Sequence, residues 1–572
     1  MLHPIDFTKI EIKGELAVRS GRNYARLEGK WYRPDEVFRA DSHGWPADWE
    51  GRILLALVLL SQSTHRTAAY LDEILSMMPE YFNEKGYFGP VLPEGHFDEQ
   101  QFGGHSWMFR ALAEYEKWKP GKGGGKLLEQ MVRNFLLPAS GYYSQYPIDP
   151  GTRFEHQDVW TLSKLQTKTK HHAETSDAGC AFIMLDGATA AYELLKWPEL
   201  KKLVLEMEAR FLEMDLQALH IQTHATLSAV RGLIRFYETT GEKEHLLSAE
   251  SVYRLYRDTA MTEAYGNYNW FGVPRWTEPC AIIDSFLVTV NLWKHLQKEE
   301  YLEDAHLIYF NAFCHGNREN GSFGTDSCVG AKDAEEPLML YPVNFETYWC
   351  CTMRGGEGFS RAIEFCVFQE GNTAWFPFYH SASIRLGSSA DELWLEEKSG
   401  YPYRDNVTFD IIRSCEKEWE LRFFVPDWCS GAELSWNGRL LALKKEGGFL
   451  SIKGCFKQGD RLELKLPLAL RREEVVRTNN LAGCHKYFFG PMLLGAPVGT
   501  EVNSLEGNRF ENYAESHYKA DSTLTLPPNP VWENQGNGRF CENATGILLE
   551  PLCDVKNMTK EDHMHQVLFY ET

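Results

Sequence analysis

The chain has 572 residues, 43% of them hydrophobic and 13% aromatic, and a formal net charge of −21. That length divides into more than one structural unit, and large cores account for most of the 17 Trp and 26 Tyr. The acidic balance excludes the basic patches that nucleic acid and anionic membranes require, and no run of about 18 apolar residues offers a membrane span.

The opening, MLHPIDFTKIEIKGEL, lacks the basic start and apolar run of a secretory signal, so a cytoplasmic protein is expected. Within it, KIEIKGELAVRS reads as a strand, and residues 1–20 are expected to join a sheet elsewhere. From about 45 to 370 the pattern is helical. GRILLALVLLSQSTHRTAAYLDEILSMM, HSWMFRALAEYEKW, MLDGATAAYELLKW, THATLSAVRGLIRFYETTG and AIIDSFLVTVNLWKHLQKEEYLEDAHLIYFNAF all repeat apolar residues at helical spacing. Many helices of this length joined by short polar links suit paired helices closed into a toroid. After about 370 the period becomes two. TAWFPFYHSASIRLG, NVTFDIIRS, WELRFFVPDW, DRLELKLPLAL and HKYFFGPMLLGAPV are short alternating strands punctuated by Gly, Asp, Asn and Pro, as in an antiparallel sandwich. The tail after about 500 reads as irregular, with a last strand at HQVLFYE. The expected division is 1–20, 21–370 and 371–572, an α+β multidomain chain.

The 13 cysteines are an odd number scattered over a long chain, which is not a secreted disulfide framework. Most read as buried thiols. The N-x-T triplets at Asn406, Asn543 and Asn557 carry no meaning in a cytoplasmic protein. Two stretches stand apart. TYWCCTMRGGEG places Cys350 and Cys351 side by side ahead of a helical segment. TEAYGNYNWFGVPRWTEPCAIIDSF carries Glu263, then Glu278 and Cys280 at the start of another helix. Helix starts favour anions, and Glu278, Cys280, Cys350 and Cys351 form an O/S set that suits zinc. Spacing alone leaves open the alternative that all three cysteines are structural.

The combination of a glutamate, a ring-rich loop, E-x-C-A-x-I-D opening a helix and a later C-C pair resembles the β-L-arabinofuranosidase superfamily of glycoside hydrolases. The residues that carry it are Glu263-Ala264-Tyr265, Glu278 to Asp284, and Cys350-Cys351. YLEDAHLIYFNAF, GGHSWMFRAL, THATLSAVRGL and FFGPMLLGA also fit, so the resemblance runs from about residue 45 to 500. It implies an (α/α)6 barrel followed by β-sandwich domains, and a Zn2+ ion held by Glu278, Cys280, Cys350 and Cys351. It further implies Cys350 as nucleophile and Glu263 as general acid/base of a retaining exo-glycosidase. Rings at Tyr265, Tyr268, Trp270 and Phe271 are expected to surround Glu263 with the dry setting such an acid needs. His105 and His224 fall where the family contacts the sugar. Tyr348 and Trp349 are candidates for ring contacts, and Asp48, Trp49 and Arg52 for the mouth. The implied partner is a glycan; a homodimer is compatible with this reading.

The chain departs from the family around the sugar pocket. The usual asparagine after the cysteine pair is absent and Arg354 stands near its place; His306 replaces a common glutamate, and Asp186 stands where many relatives carry a histidine. Arg354 or Arg275 would suit an acidic sugar. Two other readings compete: a sugar epimerase or unsaturated-uronyl hydrolase on a similar toroid, and a non-catalytic glycan-binding protein.

Overall fold

The computed structural model describes residues 2–39, 45–152, 177–330, 336–388, 391–475, 481–498, 523–555 and 564–572, together with the backbone of three short strands, His172–Ala173, Asn503–Ser504 and Ser516–His517. Among the described residues, twelve helices form two concentric rings. The inner ring is α2 (Asp48–Ser63), α4 (Glu99–Trp118), α6 (Met184–Leu195), α8 (Thr223–Thr240), α10 (Pro279–Leu296) and α12 (Cys351–Glu364). Each packs on the next, and α12 returns to α2 to close the toroid. The outer ring is α1 (Gly14–Leu27), α3 (Leu71–Met77), α5 (Gly124–Met131), α7 (Pro198–Leu212), α9 (Lys243–Thr259) and α11 (Glu299–Ile308). The expected (α/α)6 barrel is therefore present.

Composition separates the rings. In α2 every residue except Gln62 is buried, because an inner helix meets neighbours on both flanks and side chains in the lumen. In α1 the buried set Leu16, Arg19, Ser20, Asn23, Tyr24 and Leu27 marks one face, the pattern of a helix with a solvent side. The outer ring starts earlier than the sequence pattern predicts. Strand Ile10–Ile12 ends after three residues and α1 begins at Gly14, so residues 1–20 are divided between sheet and barrel. The apolar positions of GELAVRSGRNYARL fall at helical spacing, and that outweighs the short alternation of KIEIK.

The inner helices approach closely at glycines. A Cβ on Gly51 of α2 would lie 2.3 Å from the Met108 amide of α4, one on Gly187 of α6 2.7 Å from the Ser106 Cα, and one on Gly232 of α8 2.6 Å from the Leu185 carbonyl carbon. Backbone stands at each contact, so the neighbour cannot move aside by changing rotamer.

Among the described residues three large β-sheets follow the barrel, with a separate two-stranded pairing of Asn503–Ser504 and Ser516–His517. A five-stranded sheet (His3–Pro4, Phe368–Glu370, Thr373–Phe376, Trp419–Phe424, Phe449–Gly454) faces a seven-stranded one that runs from Arg439–Leu440 to the N-terminal strand Ile10–Ile12. Phe409 on the second meets Phe376 and Phe423 on the first at ring distances of 5.0 and 4.8 Å. Pairing is antiparallel apart from Thr373–Phe376 beside Trp419–Phe424 in this sandwich, and Thr525–Leu526 beside Phe569–Glu571 in the third sheet. That third sheet, of ten strands, is built on Cys484–Phe489 and Met492–Val498. It takes in Met339–Leu340 from the barrel's last long loop and the closing strands Met564–Gln566 and Phe569–Glu571. The tail read as irregular is not so where it is described: Thr525–Leu526, Trp532–Gly536, Arg539–Glu542 and Leu548–Pro551 are strands of the third sheet, while much of the rest of it, Asn557 included, lies outside the described residues.

The glycine contacts generate a paired test. Gly232→Ala forces a methyl into backbone and is expected to destabilise by about 1–3 kcal/mol. Gly21→Ala on the open face of α1, where nothing lies within 4 Å, is expected to stabilise by up to about 1 kcal/mol. Thermal unfolding of the two variants reads both signs; a neutral Gly232→Ala would contradict the packing described.

Candidate active site

The two helix starts picked out in the sequence meet. Glu278 is the N-cap residue of α10, with Pro279 in the first turn and Cys280 following it; Cys350 is the N-cap of α12 and Cys351 its first residue. One ligand atom from each of Glu278, Cys280, Cys350 and Cys351 lies within 4.8 Å of all the others. The sulfurs of Cys350 and Cys351 are 3.4 Å apart, those of Cys280 and Cys351 3.6 Å, and Cys350 Sγ is 4.0 Å from Glu278 Oε1. Zinc–sulfur bonds of about 2.3 Å in a tetrahedron put sulfurs roughly 3.8 Å apart, so the set has the right size for that ion. Its chemistry fits as well. Burial pushes the three thiols well above their usual range and the Glu278 carboxyl up to about 8. Four such acids in one dry place ionise together only against a cation.

The surroundings orient these ligands. Gln222 donates to Glu278 Oε2 at 3.3 Å, and the Glu278 amide donates to Asn267 Oδ1 at 3.0 Å. Arg52, ion-paired with Asp48 at 2.9 Å, holds Nη1 3.7 Å from Cys280 Sγ and lies over the Trp107 ring, 4.2 Å from its centre. His224 stands with Nδ1 3.5 Å from Glu278 Oε1 and Nε2 3.6 Å from Asp284 Oδ2, and stacks on Trp107. Burial, then Arg52, Arg354 and Arg231, hold its pKa well below the ordinary histidine value, so it faces Glu278 as neutral imidazole. The N-termini of α2, α8, α10 and α12 bring these residues together, which puts positive helix ends around an anionic set.

Deeper in the lumen Arg110, Arg231, Arg235 and Arg354 pair with Asp186, Asp284 and Glu357. Arg231 meets Asp284 at 2.7 Å and Arg110 meets Glu357 at 2.9 Å; Arg354 pairs with both Asp284 and Glu357, and Asp186 with Arg110 and Arg235. Arg354 is thus buried, paired with two carboxylates, and 4.5 Å from the centre of the Trp107 ring. Its guanidinium is already engaged by Asp284 and Glu357. Arg275 is exposed on the 261–277 loop.

His105 is not brought to the cluster. It turns toward the outer ring, stacked on Phe135 at 4.0 Å with Nδ1 2.8 Å from the Gln101 carbonyl oxygen, and burial lowers its pKa to about 4. Its neighbour two positions on, Trp107, takes the lumen side of α4. His306 likewise packs against the sandwich, with Nε2 2.7 Å from the Pro377 carbonyl oxygen. Tyr348 and Trp349 are half-buried, and Tyr348 lies 5.8 Å from the Trp49 ring.

Glu263 is fully buried on the loop before α10. The ring-rich setting is there, since Tyr265, Tyr268, Trp270 and Phe271 are all buried, but so is a cation: Lys486 of strand Cys484–Phe489 donates to Glu263 Oε2 at 2.8 Å. Sequence reading missed Lys486, although a lysine inside CHKYFF is a visible break in an apolar run. It also missed Gln222 and Asn269, and it gave Asp284 no role of its own. The Asn269 side-chain amide is buried with no hydrogen-bond partner among the described residues, beside the start of α8, where its carbonyl oxygen accepts from the Thr223 amide at 2.9 Å.

Comparison with known proteins agrees with this picture. Residues 375–468, the first sandwich, match the family model for the β-L-arabinofuranosidase GH127 middle domain. The whole chain superposes on a GH127 β-arabinofuranosidase (TM-score 0.69, 11% identity, 100% of this chain and 98% of that one). It also superposes on another glycoside hydrolase (0.68, 13%, 100% and 98%), and on a GH127 β-L-arabinofuranosidase from Geobacillus stearothermophilus T6 (0.66, 13%, 98% and 100%). Among curated proteins none matches. The model match supports the resemblance over residues 375–468, and the structural likeness bears out the fold over the full chain.

The protons that burial holds on these four ligands give a direct test. Uptake of Zn2+ by the purified chain is expected to release close to four protons, about one per ligand, and to weaken as pH falls, because protons compete for all four groups. Titration calorimetry in buffers of different ionisation enthalpy measures the release. Proton-neutral, pH-independent uptake would show that the ion binds elsewhere.

Proposed function

We propose that the chain is a retaining exo-glycoside hydrolase of the β-L-arabinofuranosidase type, with Cys350 as nucleophile and Glu263 as general acid/base. One observation carries the reading: residues 278, 280, 350 and 351, from two separate stretches of sequence, converge as a buried carboxylate and three thiols of zinc-site size. A purely structural set of cysteines has no need of a buried glutamate among them, and an epimerase or uronyl hydrolase has no need of the set at all.

Retaining glycosidases use a nucleophile and an acid that later acts as base. Here Cys350 Sγ attacks the anomeric carbon while Glu263 gives its proton to the departing oxygen. A carbon–sulfur bond forms as the carbon–oxygen bond breaks. Water then attacks the same carbon, Glu263 takes its proton, and the sulfur leaves. Glu278, Cys280, Cys350 and Cys351 would hold the metal, and zinc, when bound, supplies a thiolate at neutral pH and stabilises it as a leaving group. Gln222 and the Asn267 side chain fix the orientation of Glu278, and Arg52 holds positive charge against Cys280 Sγ. Neutral His224, the Asn269 amide, and the rings of Tyr348 and Trp349 are the groups proposed to read the sugar, since buried amides without partners and half-exposed rings suit hydroxyl and ring-face contacts. The substrate is a glycan ending in an L-arabinofuranoside or a related sugar.

The test is a panel of aryl glycosides that includes β-L-arabinofuranoside. Release by the parent is expected for one sugar. Cys350→Ala should abolish it, and Glu263→Gln should lower it by roughly 10²–10⁴-fold. Equal release by Cys350→Ala and the parent would remove the cysteine mechanism.

A further inference from the structure

We propose that Lys486 is a positioning residue for Glu263, so that the C-terminal sheet, and not the barrel alone, completes the active site. The inference rests on the acid/base role given to Glu263 above. Lys486 stands on Cys484–Phe489, a strand held on both sides, by Leu470–Glu474 and by Met492–Val498. Its side chain is 3% exposed. Its ammonium lies 2.8 Å from Glu263 Oε2 and 3.3 Å from the Tyr265 hydroxyl oxygen, 5.0 Å above the Tyr265 ring and 5.6 Å from the Phe488 ring.

Three features set this pair apart from a surface tie between domains. First, a buried ammonium is unfavourable unless paired, and an apolar side chain would join the two surfaces at least as well. Second, its partner is the carboxylate to which the chemistry is assigned. Third, the loop carrying Glu263 is bent to meet it: Tyr265 has φ +62°, a left-handed conformation that is costly for an aromatic residue, and that bend brings the Tyr265 hydroxyl to the same ammonium. A charge-assisted hydrogen bond to Oε2 fixes the plane of the Glu263 carboxyl. When Glu263 gives its proton to the leaving oxygen, negative charge develops on a carboxylate already facing a fixed cation, which lowers the barrier of that step. The proton passes from Glu263 to the leaving oxygen and later from water to Glu263. Lys486 keeps its own protons throughout.

The experiment uses the full chain and two aryl glycosides of the sugar the parent hydrolyses, one with a strongly acidic leaving group (2,4-dinitrophenol) and one with a weakly acidic one (phenol). Lys486→Met is expected to lower kcat/KM on the phenyl glycoside about tenfold or more, part of the full effect of a general acid, and to leave kcat/KM on the dinitrophenyl glycoside within about threefold, with bound zinc little changed. Lys486→Arg, which keeps the charge, should restore part of the loss. Equal slowing of both glycosides, or a fall in Tm with no difference between them, would make Lys486 a structural tie and overturn the inference. Glu263→Gln measured alongside separates the two levels. If that variant too lowers kcat/KM, which reads the step that expels the leaving group, equally on both glycosides, the acid/base assignment falls and this inference with it. If it discriminates and Lys486→Met does not, this inference alone falls.

Discussion

Four acidic side chains held in a dry pocket at the ends of two helices form the constraint on which the rest of the structure depends. Burial raises the thiols and the carboxyl far enough that they favour their neutral forms, and a cation reverses that preference for all four together. The barrel around them is arranged for this. Inner helices turn their N-terminal ends toward the cluster, Arg52 brings a guanidinium against one sulfur, and the ion pairs below place four guanidiniums against three carboxylates. The inner ring can close around so polar a lumen because glycines on α2, α6 and α8 let neighbouring backbones touch.

The sandwich domains extend that logic. The first pins the chain's two ends of sheet together, with the N-terminal strands on the edges of both of its sheets. The last reaches back into the barrel through Met339–Leu340, which ties down the loop ahead of the cysteine pair, through Leu493, which donates to Asn311, and through Lys486, which meets Glu263. The catalytic apparatus proposed for this chain therefore spans residues from both ends of a long polypeptide, and its geometry depends on the domains being docked.

Much of this was legible in the sequence, for physical reasons that differ from element to element. The switch of apolar period from 3.6 to 2 near residue 370 reflects the change from helices packed on two sides to strands packed on one, and it located the barrel and the sandwich. Glu278-Pro279-Cys280 and Cys350-Cys351 were legible because reactive residue types at helix starts are uncommon. The misses share a cause: sequence gives spacing along a helix but not which face turns inward. His105 and Trp107 sit two positions apart on α4, and the indole took the lumen while the imidazole turned to Phe135. Arg354 looked available to a substrate because its partners, Asp284 and Glu357, are matched to it only in three dimensions. Lys486 lies 223 positions from Glu263, a pairing that no local pattern encodes.

The central claim is that Cys350 carries the sugar during turnover. The most direct measurement is a mass spectrum of the digested protein after Glu263→Gln has been mixed with the 2,4-dinitrophenyl glycoside and quenched in acid, because that substrate leaves without acid help while removal of the sugar lacks its base. The account predicts one glycosyl residue on the peptide containing Cys350, absent when Cys350→Ala is added to the same variant. Dinitrophenol release with an unmodified Cys350 peptide, or a glycosyl group on a carboxylate, would contradict it.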